Sequence, residues 1–156
     1  MDILIIFGAK YLIALPICAL LFALYYLKGR KRMYLLYLSC LALPLAFSMG
    51  ALAGSLYYNT RPFVVGGFTP LVEHAANNGF PSDHMLLAAT VATLIFFVNV
   101  RLGSIVWVFV LLIGLSRVFA GVHHMLDIVA SAVIAVVSVF VAHLILFWFR
   151  KRNKKR

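Results

Sequence analysis

Charge is scarce in this chain. Only 12% of its 156 residues are Asp, Glu, Lys or Arg and 65% are hydrophobic, whereas about a quarter of a soluble domain is charged. That balance excludes a disordered chain and leaves little room for a water-soluble fold. Acid is scarcer still: the carboxylates are Asp2, Glu73, Asp83 and Asp127, four against 14 Lys and Arg. A net charge of +10 can mark nucleic-acid binding. Here the cations sit in short clusters between apolar runs and not along one soluble face, so no nucleic-acid partner is expected. Cysteine is limited to Cys18 and Cys40. Two cysteines inside apolar runs cannot build a disulfide scaffold or a zinc finger, and they read as small buried thiols.

What the chain has in quantity is apolar sequence in runs near the length of about 20 residues that crosses a bilayer. Five are present: Tyr11 to Leu27 with an upstream extension Ile3 to Ala9, Met33 to Tyr58, Met85 to Val100, Leu102 to Ala120, and Ile128 to Phe149. They predict an all-α fold, a single integral-membrane domain over residues 1–156 built as a polytopic helical bundle of about five transmembrane helices. A secretory signal is the rival reading of the first run. No small-residue cleavage site precedes Lys28, Arg30, Lys31 and Arg32, so a retained helix is expected, kinked at Pro16. The long non-apolar stretch Asn59 to His84 holds Pro62, Pro70 and Pro81 and reads as irregular backbone with short turns.

The cations orient the bundle. With Lys28 to Arg32 on the cytoplasmic side, five spans also put Arg101 and the basic tail Arg150 to Arg156 there, while all four acids fall outside. The positive-inside rule therefore selects an outer N-terminus and a cytoplasmic C-terminus, with the tail near anionic membrane lipid. Arg61, His74, His84, Arg117, His123, His124 and Asp127 are then left on the outer side. Arg117 lies 15 residues after Leu102, a rise of roughly 22 Å at helical pitch, which places it at the outer headgroup level where a lipid presents phosphate.

Ionisable groups at membrane depth are costly, and these converge in three stretches. They are Arg61-Pro62, Pro81-Ser82-Asp83-His84, and Ser116-Arg117 followed by His123 and Asp127. Two forked guanidinium groups suit the spread charge of a phosphoryl group in transfer. Ser82 is a natural N-cap, so the backbone N–H groups behind it would face the same anion. His123 and Asp127 are four apart, on one face of a helix start, so the carboxylate can hold the imidazole in one tautomer. His84 remains to protonate a leaving oxygen. The set supports phosphoryl transfer with a histidine nucleophile.

These stretches resemble the signature of the type 2 phosphatidic acid phosphatase superfamily, K-x6-R-P, then P-S-G-H, then S-R-x5-H-x3-D, over residues 54–127. The resemblance implies that His123 attacks phosphorus, Asp127 orients it, His84 is the general acid, and Arg61, Ser82 and Arg117 bind phosphate, with no metal or other cofactor. The form P-S-D-H, with R-P-F-V and H-A-A-N-N-G-F before it, is similar to the bacterial undecaprenyl diphosphatase branch linked to bacitracin resistance. That branch implies a bacterial plasma-membrane enzyme acting at the outer face on undecaprenyl diphosphate. Two positions depart from the signature: Gly54 stands where it has lysine, and Asp83 where it has glycine. The five expected spans are one fewer than the six that the resemblance implies, with the difference expected at the N-terminal end.

Several residues carry a second reading. Gly50 and Gly54 form a small-x-x-x-small pair suited to close helix packing. Lys10 is either a snorkelling interfacial lysine or the replacement for the absent phosphate-binding lysine. Glu73 and His74 are ordinary loop residues or contacts to a headgroup or a second phosphate. His123, His124 and Asp127 would suit a metal, but two neighbouring arginines would repel it. His143 reads as an interhelical hydrogen-bonding residue. Alternative functions are a phosphatidylglycerophosphate or phosphatidate phosphatase and, in another class, a small anion-binding transporter, which would show paired interrupted helices at the membrane midplane. The oligomeric state is open.

Overall fold

The computed structural model describes residues 1–153; the last three residues of the predicted basic tail lie outside the described residues. Seven helices follow in order: α1 (Asp2–Lys10), α2 (Ala14–Tyr26), α3 (Gly29–Leu56), α4 (Pro62–Gly66), α5 (Asp83–Val98), α6 (Val100–Phe119) and α7 (Met125–Asn153). Among the described residues the β pairing is one isolated antiparallel bridge between Thr60 and Asn78. The fold is all-helical, as expected.

Three helices, α3, α6 and α7, are long and apolar enough to cross a membrane. Only 33% of each apolar window is buried inside the protein. The outward remainder therefore presents Leu52, Leu111, Val133 and Phe140 to the surroundings, a surface suited to lipid. Cys18 and Cys40 also lie exposed among such residues, which corrects the reading of buried thiols. The first expected span is broken: α1 and α2 pass the length and hydropathy test only as a pair bent by 43°. The bend falls at residues 11–13, upstream of Pro16. Pro16 sits in the first turn of α2, where its missing N–H leaves no helical bond unmade.

At 16 residues α5 is shorter than the helices that pass as membrane spans by themselves, yet this helix is the hub of the bundle. It packs against α2, α3, α6 and α7, with Met85, Leu86, Ala88, Ala89, Val91, Ala92, Leu94 and Ile95 buried. Its alanines let neighbouring backbones approach closely. Buried Thr90 and Thr93 return their hydroxyls to the carbonyls of Leu86 and Ala89 at 2.7 Å, so neither donor is left unpaired. Gly50 gives α3 the same intimacy, since a Cβ there would meet Leu86 Cδ2 at 2.7 Å.

Chain direction places Leu56, Asp83, Phe119 and Met125 at one end of the bundle. Lys28, Arg30, Lys31, Arg32, Arg101 and Arg150 lie at the other. At the cationic end His143 on α7 meets the Tyr34 hydroxyl on α3 through Nδ1 at 2.5 Å, the interhelical bond expected of it. At the opposite end the stretch from Asn59 to Ser82 folds over the helix termini. It contains the short helix α4, unforeseen from sequence, which Pro62 starts and Gly67 stops with φ +62°.

Candidate active site

Pro62 drives the residue before it into extended backbone, and Arg61 accordingly holds φ −62° and ψ 148°. Its side chain turns inward and is 5% exposed. Nε donates to Asn77 Oδ1 at 3.0 Å, Nη1 to the Val122 carbonyl at 2.9 Å, and Nη2 to the Asn78 carbonyl at 3.1 Å. Arg117 reaches the same point from the last turn of α6. It donates from Nη1 to the Ala9 carbonyl at 3.2 Å, which ties α1 to the site, and its buried Nε has no partner among the described residues. Arg61 Nη1 and Arg117 Nη2 each lie 3.4 Å from Nε2 of His123.

His123 itself is 3% exposed and sits in the turn before α7, not on the helix. Its Nδ1 lies 2.9 Å from the Gly79 carbonyl and 3.5 Å from Asp127 Oδ2. Nδ1 therefore carries the proton and donates it chiefly to Gly79, and Nε2 keeps its lone pair toward the guanidinium groups. This adjusts the expectation for Asp127, whose shorter bonds are elsewhere: Oδ1 accepts from Asn59 Nδ2 at 2.7 Å and Oδ2 from the His124 backbone N–H at 2.8 Å. The second of these is the reach-back of a capping box at the start of α7. Position 79 is crowded, since a Cβ there would lie 3.1 Å from the Asn59 carbonyl and 3.3 Å from Asp127 Oδ2, tight enough that the neighbours would have to shift by a few tenths of an ångström.

One cavity of about 420 Å³ joins these groups. Its polar wall is Arg61, His74, Asn77, Asn78, Asp83, His84, Arg117 and His123, and its other wall is Phe47, Gly50, Ala51, Gly54, Phe80 and Pro81. His84 and His123 thus open onto the same space. Gly54 packs as well as lines, because a Cβ there would stand 3.0 Å from the Phe80 carbonyl.

The other candidates are placed as follows. Asp83 begins α5 and is exposed at the cavity. Ser82 holds the N-cap position of α5 but makes no side-chain cap bond, contrary to expectation. Its buried hydroxyl has no partner among the described residues, and its backbone N–H donates to Ser131 Oγ at 2.8 Å. His74 faces His123 across the cavity. Lys10 and Glu73 are exposed and do not line it, so the structure does not bring Lys10 to the place of the absent lysine. His124 diverges from His123, with Nε2 3.0 Å from the Thr60 carbonyl; among the described residues no three His, Cys, Asp or Glu side chains are grouped to hold a metal.

Sequence reasoning missed Asn59, Asn77, Asn78, Gly79 and Ser131. Asn78 binds four backbone groups: its Oδ1 accepts from the N–H of Asn59 and of Phe80 at 2.9 Å, and its Nδ2 donates to the carbonyls of Gly54 and Tyr57 at 3.0 Å. Ser131, one turn beyond Asp127, donates to the Asp127 carbonyl at 2.6 Å and accepts from the Ser82 N–H, and this second bond joins the start of α5 to α7. The run Asn77-Asn78-Gly79 is a turn signal. That was the available hint.

Electrostatics follow from burial. Burial lowers the pKa of His123, and Arg117 and Arg61 push the same way while hydrogen bonding to Asp127 opposes them. The ring is neutral at pH 7, with a free lone pair at Nε2. His74 is held to about 4, first by burial and then by Arg61 and Arg117. The arrangement provides a neutral nitrogen nucleophile, two cations at its reactive atom, and a second imidazole in the same cavity.

A helical membrane bundle with two arginines and three histidines around one cavity defines the class. The chain belongs to the PAP2 superfamily, whose pattern matches residues 33–151. It is 34% identical over 120 residues to the bacitracin transport permease protein BcrC of Bacillus licheniformis, covering 76% of this chain and 57% of that one. It is 36% identical over 85 residues to the undecaprenyl-diphosphatase BcrC of Bacillus subtilis (strain 168), covering 54% and 44%. The chain thus spans about half the length of these curated relatives, which carry the names of the branch that the P-S-D-H form resembles. The crystal structure of Aquifex aeolicus LpxE shares the fold, with a TM-score of 0.68 and 23% identity over 89% of this chain and 80% of that one.

Proposed function

We propose that this protein is a metal-independent lipid phosphatase of a bacterial plasma membrane that hydrolyses undecaprenyl diphosphate to undecaprenyl phosphate at the outer face. The observation that carries this reading is the approach of both guanidinium groups to Nε2 of His123. A cation pair at a nucleophilic atom is where a phosphoryl group's equatorial oxygens gain most as charge redistributes. The half-apolar cavity wall on α3 supports a lipid over a soluble phosphate, because an amphipathic substrate needs both surfaces. The name of the Bacillus subtilis relative favours the diphosphate.

In the proposed reaction Nε2 of His123 attacks the terminal phosphorus in line. The bond from phosphorus to the bridging oxygen breaks, and that oxygen takes a proton from His84 as undecaprenyl phosphate departs. Water then attacks the phosphohistidine, the P–N bond breaks, and His84 recovers a proton as inorganic phosphate leaves. Asp127 stabilises the positive imidazole of the intermediate, and Arg61, Arg117 and the start of α5 at Ser82 hold phosphate.

The bent pair α1 and α2, α3, α5, α6 and α7 make five crossings in this reading, with α5 enclosed by the others. The N-terminus is outside and the C-terminus cytoplasmic, supported by the cations gathered at the end away from the cavity. A transport reading is kept in view by the permease name of the Bacillus licheniformis relative. Among the described residues one bent pair is present, and none of its residues lines the cavity.

The test is phosphate release by purified protein from undecaprenyl diphosphate, phosphatidylglycerophosphate and phosphatidate, with and without chelator. Preference for the diphosphate, unchanged in chelator and abolished by His123→Ala, supports the proposal. Preference for a glycerophospholipid overturns the substrate, and binding without turnover overturns the chemistry.

A further inference from the structure

His74 has no task in the two-step scheme, yet its position is specific. It lies in the connection from α4 to α5, between exposed Glu73 and Ala75. Its ring is drawn inward and meets that of His123 edge to face, with centroids 6.0 Å apart and planes at 79°. It lines the same cavity as Arg61, His84 and Arg117. Its Nδ1 is buried and makes no hydrogen bond of good geometry among the described residues, the ring's backbone interaction being a weak one with Ala75. A buried ring nitrogen without a partner is uncommon and points to a bond that a ligand completes.

The surrounding donors are partly spent. Arg61 uses N–H groups of Nε, Nη1 and Nη2 on Asn77, Val122 and Asn78, and Arg117 uses Nη1 on Ala9. A third cation beside two guanidinium groups would be repelled by them. Burial and the two arginines keep His74 at about 4, so it is uncharged at neutral pH. A neutral imidazole offers one N–H to an anion without adding to that repulsion. Position 54, where the resembled signature has lysine, is occupied by a glycine against the Phe80 carbonyl. His74 would add a neutral donor to those left free at Arg117 Nε and Ser82 Oγ.

We propose that His74 is a phosphate-binding residue that donates a neutral ring N–H to the phosphoryl group attacked by His123, in place of a cation at position 54. This rests on the phosphatase reading for its substrate, but the binding role is separable from turnover.

The test uses the full chain with His74→Phe, which keeps a ring against His123 and removes both nitrogens, and His74→Asn, which returns an N–H near Nδ1. The readouts are kcat/KM for undecaprenyl diphosphate and inhibition by orthovanadate, a mimic of the transferring phosphoryl group. His74→Phe is expected to lower kcat/KM and weaken vanadate inhibition by roughly 10- to 100-fold each, the loss of one hydrogen bond to a charged group. His74→Asn should recover both to within about fivefold. Wild-type values in His74→Phe, or a His74→Asn protein as impaired as His74→Phe, overturn the proposal. If wild-type protein cleaves no lipid phosphate, the phosphatase reading fails alone. Calorimetric binding of inorganic phosphate then decides His74, with weaker binding by His74→Phe supporting the role and equal binding overturning it.

Discussion

Gly79 and His123 are joined by a 2.9 Å contact between the Gly79 carbonyl and Nδ1, shorter than the 3.5 Å separating the same nitrogen from the Asp127 carboxylate. A backbone carbonyl can accept from Nδ1 and cannot itself be protonated, so it selects the tautomer that bares Nε2. The carboxylate is left with an electrostatic task, stabilising the positive imidazole that forms on phosphorylation.

Asp127→Asn should therefore lower kcat by about 10- to 100-fold without abolishing turnover, since the tautomer survives and only charge stabilisation is lost. Steady-state phosphate release compares it with His123→Ala, in which turnover should be undetectable. Equal loss in the two variants would show that Asp127, not Gly79, sets the tautomer.

The acid limb of activity belongs to His123 in this account. Protonation occupies Nε2 and removes the nucleophile, so kcat/KM falls as pH falls through the pKa of the free enzyme. Burial and the two arginines lower that pKa, so the limb's midpoint should lie below 6.5, the ordinary histidine value. Hydrogen bonding to Asp127 raises it, and Asp127→Asn should move the limb lower still. A kcat/KM profile from pH 4 to 8 measures both shifts; a wild-type midpoint at or above 6.5 contradicts the assignment.

Asn78 is a structural residue of the site. Its four backbone bonds hold Gly54, Tyr57, Asn59 and Phe80 together, and Asn59 in turn holds Asp127. Asn78→Ala should cost about 2–3 kcal/mol, less than four full hydrogen bonds because the site is part-exposed and water replaces some of them. Thermal unfolding in detergent should show a Tm lower by roughly 5–10 °C, with reduced kcat. An unchanged Tm would remove Asn78 from this role.

Lys10 should be dispensable. It is exposed at the end of α1 and away from the cavity wall, so Lys10→Met is expected to leave kcat and KM within about twofold of wild type, like other surface substitutions. A large rise in KM would return Lys10 to the phosphate site.

The long helices were legible because a bilayer asks mainly for length and apolarity, which α3, α6 and α7 display in one dimension. The break between α1 and α2 was not, for residues 11–13 carry neither proline nor glycine. Arg61, His84, Arg117 and His123 were legible because charge and imidazole beside apolar helices need a reason. Asn59, Asn77, Asn78 and Ser131 are cheap in a loop or a helix, and their roles arise only where distant segments meet. The cap expected of Ser82 is not made, and its backbone N–H instead meets Ser131, a contact 49 positions away in sequence.

The central claim is that Nε2 of His123 carries the phosphoryl group. Wild-type protein, mixed with undecaprenyl diphosphate labelled with ³²P in its terminal phosphate and quenched within one turnover, should retain acid-labile, base-stable label that peptide mass spectrometry locates on His123. Label on another residue, or a phosphoenzyme that persists in His123→Ala, would contradict the account.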